Sequence, residues 1–98
     1  MIEVRQTAIF GEWIAALRDL RAAARIDGRI GRLRAGNFGD VKSVGGGVSE
    51  LRVDYGPGYR VYFTRRGDKI VILLCGGDKG SQARDIRRAK ALAAEAEE

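Results

Sequence analysis

Arg52, Arg60, Tyr62 and Lys79 have types and spacings suited to phosphate chemistry. Arg52 and Arg60 lie on either side of the tight turn Gly56-Pro57-Gly58, and the flanking segments alternate with a period of two. One strand carries Leu51, Val53 and Tyr55 on one face and Glu50, Arg52 and Asp54 on the other. The returning strand carries Tyr59, Val61 and Phe63 against Arg60, Tyr62 and Thr64. Pairing two such strands through a short Gly-rich turn brings Glu50, Arg52, Arg60 and Tyr62 onto one face, because successive side chains point to opposite sides of a sheet. Lys79 follows in the segment GGDKGSQ, at the end of an apolar strand, so Asp78, Lys79 and Gln82 are expected to border the same patch. Guanidinium forks match phosphate oxygens bidentately, and a tyrosine beside them offers both a stacking plane and a hydroxyl.

The residues that are absent narrow the chemistry further. The chain contains no histidine, which removes a Ser-His-Asp triad, a Cys-His dyad, an H-E-x-x-H zinc site and two-imidazole ribonuclease chemistry. Proton transfer must then use Lys, Tyr or a carboxylate; no cofactor or metal is expected. GGDKGS is not a nucleotide-binding P-loop, because Lys79 precedes Gly80 instead of being followed by Ser or Thr. The single Cys75 permits no internal disulfide and sits in an apolar run, where a free cysteine is normally a small core residue.

The elements that must position these residues fit in one small domain spanning 1–98. Ile2 and Val4 alternate with Glu3 and Arg5 as a short strand. Thr7 offers an N-cap to a helix whose stripe is Phe10, Trp13, Ile14, Leu17 and Leu20, and Asp19 caps a second helix that repeats Ala23, Ile26, Ile30 and Leu33. Arg21, Arg25, Arg29, Arg32 and Arg34 line the rest of this second run, and the two runs read as a helical hairpin or as one kinked helix ending at Gly36. Four strands follow as successive hairpins; Ile70–Cys75, apolar at every position, reads as a central strand ended by Gly76-Gly77. From Ser81 a basic helix with Ile86 and Leu92 as its large apolar residues runs into an Ala/Glu tail, 91–98, expected to fray.

The order predicts an α+β fold: a small, mostly antiparallel sheet, two N-terminal helices packed on one face, a short C-terminal helix, and an open face bearing the patch. Trp13, Leu17, Ile30, Leu33, Leu51, Val61, Phe63, Ile72 and Leu74 are the expected core. Arg52, Arg60 and Tyr62 are expected to be at least partly exposed.

Charge points to the partner. The chain is +5 with a pI near 9.9. Glu95, Glu97 and Glu98 sit at the end, so residues 1–94 alone are net +8. A polyanion is the default partner of such a surface. The N-terminal MIEVRQTAIF has no apolar h-region and the longest apolar run, Ile70–Cys75, is six residues, so neither a signal peptide nor a membrane span is expected and the cytoplasm is the expected location.

The segments FGEWIAALRD, RLRAGNFGD, VSELRVDYGPGYRVYF and ILLCGGDKGSQARDI, taken together from Phe10 to Ile86, resemble the RelE/ParE superfamily of bacterial toxins, in its HigB-like branch of phage-related addiction-module killer proteins. The ordered pair GPGYRVYF and GGDK-x-x-Q carries the likeness. The resemblance implies a toxin of a type II toxin-antitoxin system, neutralised by a cognate antitoxin, itself a helix-turn-helix DNA-binding protein. In RelE-like members the activity is metal-independent endoribonuclease cleavage of mRNA on the ribosome. It also implies that Arg60 contacts phosphate, that Arg52 flanks the site, and that Lys79 acts on the leaving group. The RelE-type aromatic after this position is missing here, where Ser81, Gln82, Arg84 and Asp85 stand, so stacking would fall to Tyr59 or Tyr62. The implied reaction is attack of a ribose 2′-hydroxyl on its own 3′ phosphodiester, with Lys79 as proton carrier and Tyr62 as its substitute, since arginine stays protonated. The alternatives are a ParE-like non-enzymatic DNA gyrase poison and an inactive RNA-binding module. An acidic antitoxin segment would lie across the Arg-rich helices or the sheet patch.

Overall fold

A computed structural model describes residues 1–96. β1 (Glu3–Gln6) leads through Thr7 into α1 (Ala8–Ala16), and Asp19 opens α2 (Leu20–Arg34). Both caps form as the sequence predicts. Thr7 Oγ1 accepts from the Phe10 amide at 3.0 Å and donates to the Leu74 carbonyl at 2.6 Å, tying the helix start to the sheet. Asp19 accepts from the amides of Arg21 and Ala22. α2 stops where Gly36 takes a left-handed φ of 93°, a conformation that side chains with a Cβ avoid.

The strands β2 (Val41–Gly45), β3 (Val48–Val53), β4 (Tyr59–Arg66) and β5 (Ile70–Asp78) form an antiparallel meander, and β1 adds in parallel to β5, giving the order β1-β5-β4-β3-β2. The β3–β4 register is the one the alternation implies: Leu51 faces Val61, Glu50 faces Tyr62 and Arg52 faces Arg60. α1 and α2 cover one face, burying Phe10, Ile26, Ile30 and Leu33 against Leu51, Val61, Phe63 and Leu73. Trp13 and Leu17, expected in that core, are half-buried at its margin, and Ile72 is half-buried on the opposite face together with the fully buried Leu74.

The expectation of an open second face is corrected. α3 (Gln82–Glu95), following a 3-10 turn at Lys79–Ser81, lies across it and closes a second core of Val48, Tyr62, Leu74, Cys75, Ala89 and Ala93. The helix packs closely because its buried positions are small or polar: Asp85, Ala89 and Ala93, spaced by four. Tyr62, expected to be partly exposed, is therefore fully buried beneath it.

Gly76-Gly77 do not end β5, as predicted, but continue it to Asp78. Between Tyr62 and Phe63 the β4–β5 register slips, with Tyr62 opposite Cys75 and Phe63 opposite Leu73. The bulge puts the consecutive Leu74 and Cys75 into the second core and reverses the alternation beyond them. Gly76 then lies under Trp13, and a Cβ there would come within 2.4 Å of the indole. Gly77 lies under α3, and its Cβ would come within 1.9 Å of Asp85 Oδ2. The two glycines are strand residues chosen for close approach from opposite sides. The tail predicted to fray is helical through Glu95 with Ala93 buried; Glu97 and Glu98 lie outside the described residues. No described helix is long and apolar enough to cross a membrane.

Candidate functional site

The face bearing Arg52 and Arg60 has two parts. α3 seals the part near Tyr62. The part at the β3–β4 turn remains a cleft of about 380 Å³, walled by Arg52, Arg60 and Lys79 with Asp40 and Asp54, and floored by Gly56-Pro57-Gly58. The three basic residues singled out in the sequence thus share one concavity. Gly58 shapes the turn beneath them: at φ 83° it is left-handed, a conformation that favours glycine.

Arg60 is held from behind. Its side chain is only 13% exposed, and Nε lies 3.2 Å from Oε2 of Glu50, whose side chain is 2% exposed. This contact is an ion pair lacking hydrogen-bond alignment, since Nε has no hydrogen-bond partner; Nη1 donates to the Tyr59 carbonyl at 3.3 Å. Gln82 Nε2 donates to both Glu50 oxygens, at 2.9 and 3.1 Å. Glu50 and Gln82, predicted on the substrate-facing border, instead form a partly buried support that links Arg60 to the start of α3.

Arg52 is held from the front. Nη2 and Nε donate to Asp40 Oδ1 at 2.8 and 3.2 Å, and both side chains are substantially exposed. The hydrogen bond from Arg52, helped by the charges of Arg52, Arg29 and Arg60, lowers the Asp40 carboxyl below its ordinary value, and the same contact raises Arg52. Arg29 of α2 braces this region by donating to the carbonyls of Phe38 at 3.2 Å, Asp40 at 3.3 Å and Arg52. Its guanidinium is lowered by desolvation and by the neighbouring charge of Arg32.

Lys79 is exposed and, among the described residues, makes no side-chain ion pair or hydrogen bond. Asp78 accepts from the Gly80 amide at 2.8 Å and so shapes the turn that presents Lys79. Tyr59 is half-buried on the opposite face of β4 from Arg60, its ring 6.3 Å from that of Trp13, and does not wall the cleft. Tyr62 Oη is buried without a hydrogen-bond partner, and burial, with the charges of Glu50 and Asp85, pushes its ionisation well above the ordinary phenol range. A phenol so placed cannot exchange protons with a substrate in the cleft.

Sequence reasoning did not single out Asp40 or Asp54 as site residues. For Asp54 a signal existed, because it lies two positions beyond Arg52 on the same alternation. Asp40 comes from the loop after α2 and reaches Arg52 through tertiary packing alone. Among the described residues no three His, Cys, Asp or Glu side chains gather in a way that could hold a metal ion.

With the basic cleft at one end of the five-stranded sheet described, the chain can be placed: it belongs to the family described as "Phage derived protein Gp49-like (DUF891)", whose match spans residues 12–96. The chain is also similar to an uncharacterized protein of Haemophilus influenzae, 53% identical over 94 residues that cover 96% of this chain and 95% of that protein.

Proposed function

We propose that this chain is a toxin of a type II toxin-antitoxin pair that cleaves mRNA by 2′-hydroxyl attack, acting in the cytoplasm on ribosome-engaged message. The observation that supports the reading best is the convergence of Arg52, Arg60 and Lys79 on one open cleft. The likeness of the GPGYRVYF and GGDK-x-x-Q segments to RelE/ParE toxins of the HigB-like branch supplies the reaction.

In this reading Arg60, fixed by Glu50, binds a non-bridging phosphate oxygen, and Arg52 joins it by exchanging Asp40 for phosphate. Charge stabilisation of the pentacoordinate phosphorus is their role. The 2′-oxygen bonds to phosphorus, the bond from phosphorus to the 5′-oxygen breaks, and the products are a 2′,3′-cyclic phosphate and a 5′-hydroxyl. Asp54, the other exposed carboxylate of the cleft, accepts the 2′-hydroxyl proton. Lys79 delivers a proton to the departing 5′-oxygen. With Tyr62 buried and Tyr59 on the far side of the strand, base stacking has no aromatic in the cleft, and substrate binding rests on phosphate contacts. The cognate antitoxin, a helix-turn-helix protein by family resemblance, would neutralise the chain by covering this basic surface.

Brief induction in cells followed by mapping of RNA 5′ ends tests the reading. Discrete in-frame cuts are expected, lost in Lys79→Ala. Lys79→Arg retains the charge but cannot exchange a proton near neutral pH, so it should bind RNA and cut slowly. Intact RNA with DNA damage would refute the nuclease and favour the gyrase-poison alternative.

A further inference from the structure

The cleft continues into a second concavity, and this extension carries an inference that rests on the RNA-cleaving reading and deepens it. A groove of about 420 Å³ runs beside α2, lined by Arg25, Arg29 and Arg32, and it shares Asp40 and Asp54 as its common wall with the first cleft. The three arginines recur at i, i+4 and i+7, each one residue before Ile26, Ile30 or Leu33, which turn into the core. The apolar stripe therefore fixes the row at the groove. Gly28 keeps the helix surface low between them, with nothing within 4 Å of where its Cβ would be. Two of the arginines are also anchored on the strand side: Arg25 lies over the Tyr55 ring at 4.7 Å from its centroid, beside the Gly56-Pro57-Gly58 turn, and Arg29 bonds the loop carrying Asp40.

We infer that the α2 groove is a second phosphate subsite, through which the single-stranded RNA flanking the scissile phosphate runs along Arg25, Arg29 and Arg32. Charge complementarity identifies a polyanion, since a row of spaced guanidiniums suits repeating phosphates. Continuity with the first cleft identifies it as the same strand, because a chain leaving Arg52 crosses the Asp40–Asp54 wall directly into the row. The two carboxylates at the crossing repel phosphate, so the strand must bridge between cationic sites on either side. Short oligonucleotides that fill only the first cleft would gain nothing from α2.

The test uses fluorescein-labelled 2′-O-methyl RNA, which lacks the attacking hydroxyl, as a dodecamer and a tetramer, with binding read by anisotropy from about 50 to 200 mM salt. Wild type is compared with the double variant Arg25→Gln/Arg32→Gln and with Lys79→Ala. All changed residues are exposed, and melting curves check that the variants stay folded. The double variant should weaken the dodecamer on the order of tenfold and reduce the magnitude of the salt slope by about 1.4, at about 0.7 per lost single-strand contact. Tetramer binding should stay within about twofold. If Lys79→Ala weakens the dodecamer but the double variant matches wild type in affinity and slope, the subsite is refuted while the nuclease reading stands. If wild type neither binds the dodecamer nor cuts RNA, the reading itself fails and the subsite with it. If the double variant loses binding to a poly-glutamate peptide while RNA affinity is unchanged, the row is a protein-docking surface and the inference is overturned.

Discussion

Removing the Glu50 carboxylate should unfold more of this protein than any change at an exposed site residue. Glu50 is almost completely enclosed, and its partner Arg60 is 13% exposed, so Glu50→Ala leaves a desolvated guanidinium without its counter-charge and the Gln82 amide without its acceptor. Breaking one side of a buried ion pair destabilises by about 3–5 kcal/mol, against a total stability of about 5–15 kcal/mol for a domain. At roughly 4–8 °C per kcal/mol for a chain of this size, the melting temperature should fall by at least about 12 °C. Arg60→Ala should be destabilising by the same logic, which sets it apart from Lys79→Ala at an exposed position. The double variant Glu50→Ala/Arg60→Ala closes a thermodynamic cycle. If the pair is coupled as the geometry indicates, the double variant loses less stability than the two single losses added together, by on the order of 1–3 kcal/mol. Additivity within about 0.5 kcal/mol, or a Glu50→Ala loss below about 1 kcal/mol, would refute the claim that Glu50 supports Arg60.

Gly77→Ala should lower stability by about 1–3 kcal/mol or more by driving α3 off the sheet, whereas Gly28→Ala, on an open helix surface, should raise it by about 0.5–1 kcal/mol; thermal melting compares the two. Asp40→Asn should release Arg52 and tighten binding of the 2′-O-methyl dodecamer severalfold at neutral pH; in wild type a comparable gain appears only as pH falls below the ordinary aspartate value of 3.8, because the Asp40 carboxyl is lowered. Stability should fall as pH rises above 9. Burial pushes the Cys75 thiol from 9.0 up to about 11 and lifts the Tyr62 phenol above 10.0, so the unfolded chain releases these protons first. Denaturant titrations of Cys75→Ala should show a shallower loss between 9 and 11 than wild type.

The sequence made the meander legible because its signals were local. Period-two alternation on both sides of Gly56-Pro57-Gly58 fixes the β3–β4 register and with it the pairing of Arg52 with Arg60. Thr7 and Asp19 marked their helices by side-chain chemistry alone. The second face was illegible for an equally physical reason. α3 buries Asp85, Ala89 and Ala93, a stripe without bulk, and its arginines give it the pattern of a solvated helix. Its docking depends on Gly77 accepting Asp85 closely and on a bulge that no turn residue announces. Tyr62 was misplaced as a consequence: its direction on β4 follows from alternation, but its cover comes from a helix whose sequence does not advertise it. Asp40 was missed because its role arises only when the loop after α2 meets β3.

Arg52 and Arg60 occupy facing positions in the β3–β4 register and carry the same charge, yet they are prepared for different tasks. Exposed ion pairs are weakly bound and screened, so in the proposed reading Arg52 trades Asp40 for a phosphate with little loss. A buried partner cannot be traded in that way, so Arg60 keeps its orientation whether or not a ligand is present. Glu50 also accepts from Gln82, the first residue of α3, three positions beyond Lys79. One buried carboxylate thereby locates both the fixed guanidinium and the turn that presents the ammonium, and the docking of α3 becomes a condition for the cleft. The covered sheet face is thus part of the site: the helix that buries Tyr62 is the element that holds Arg60 and Lys79 at one basic opening.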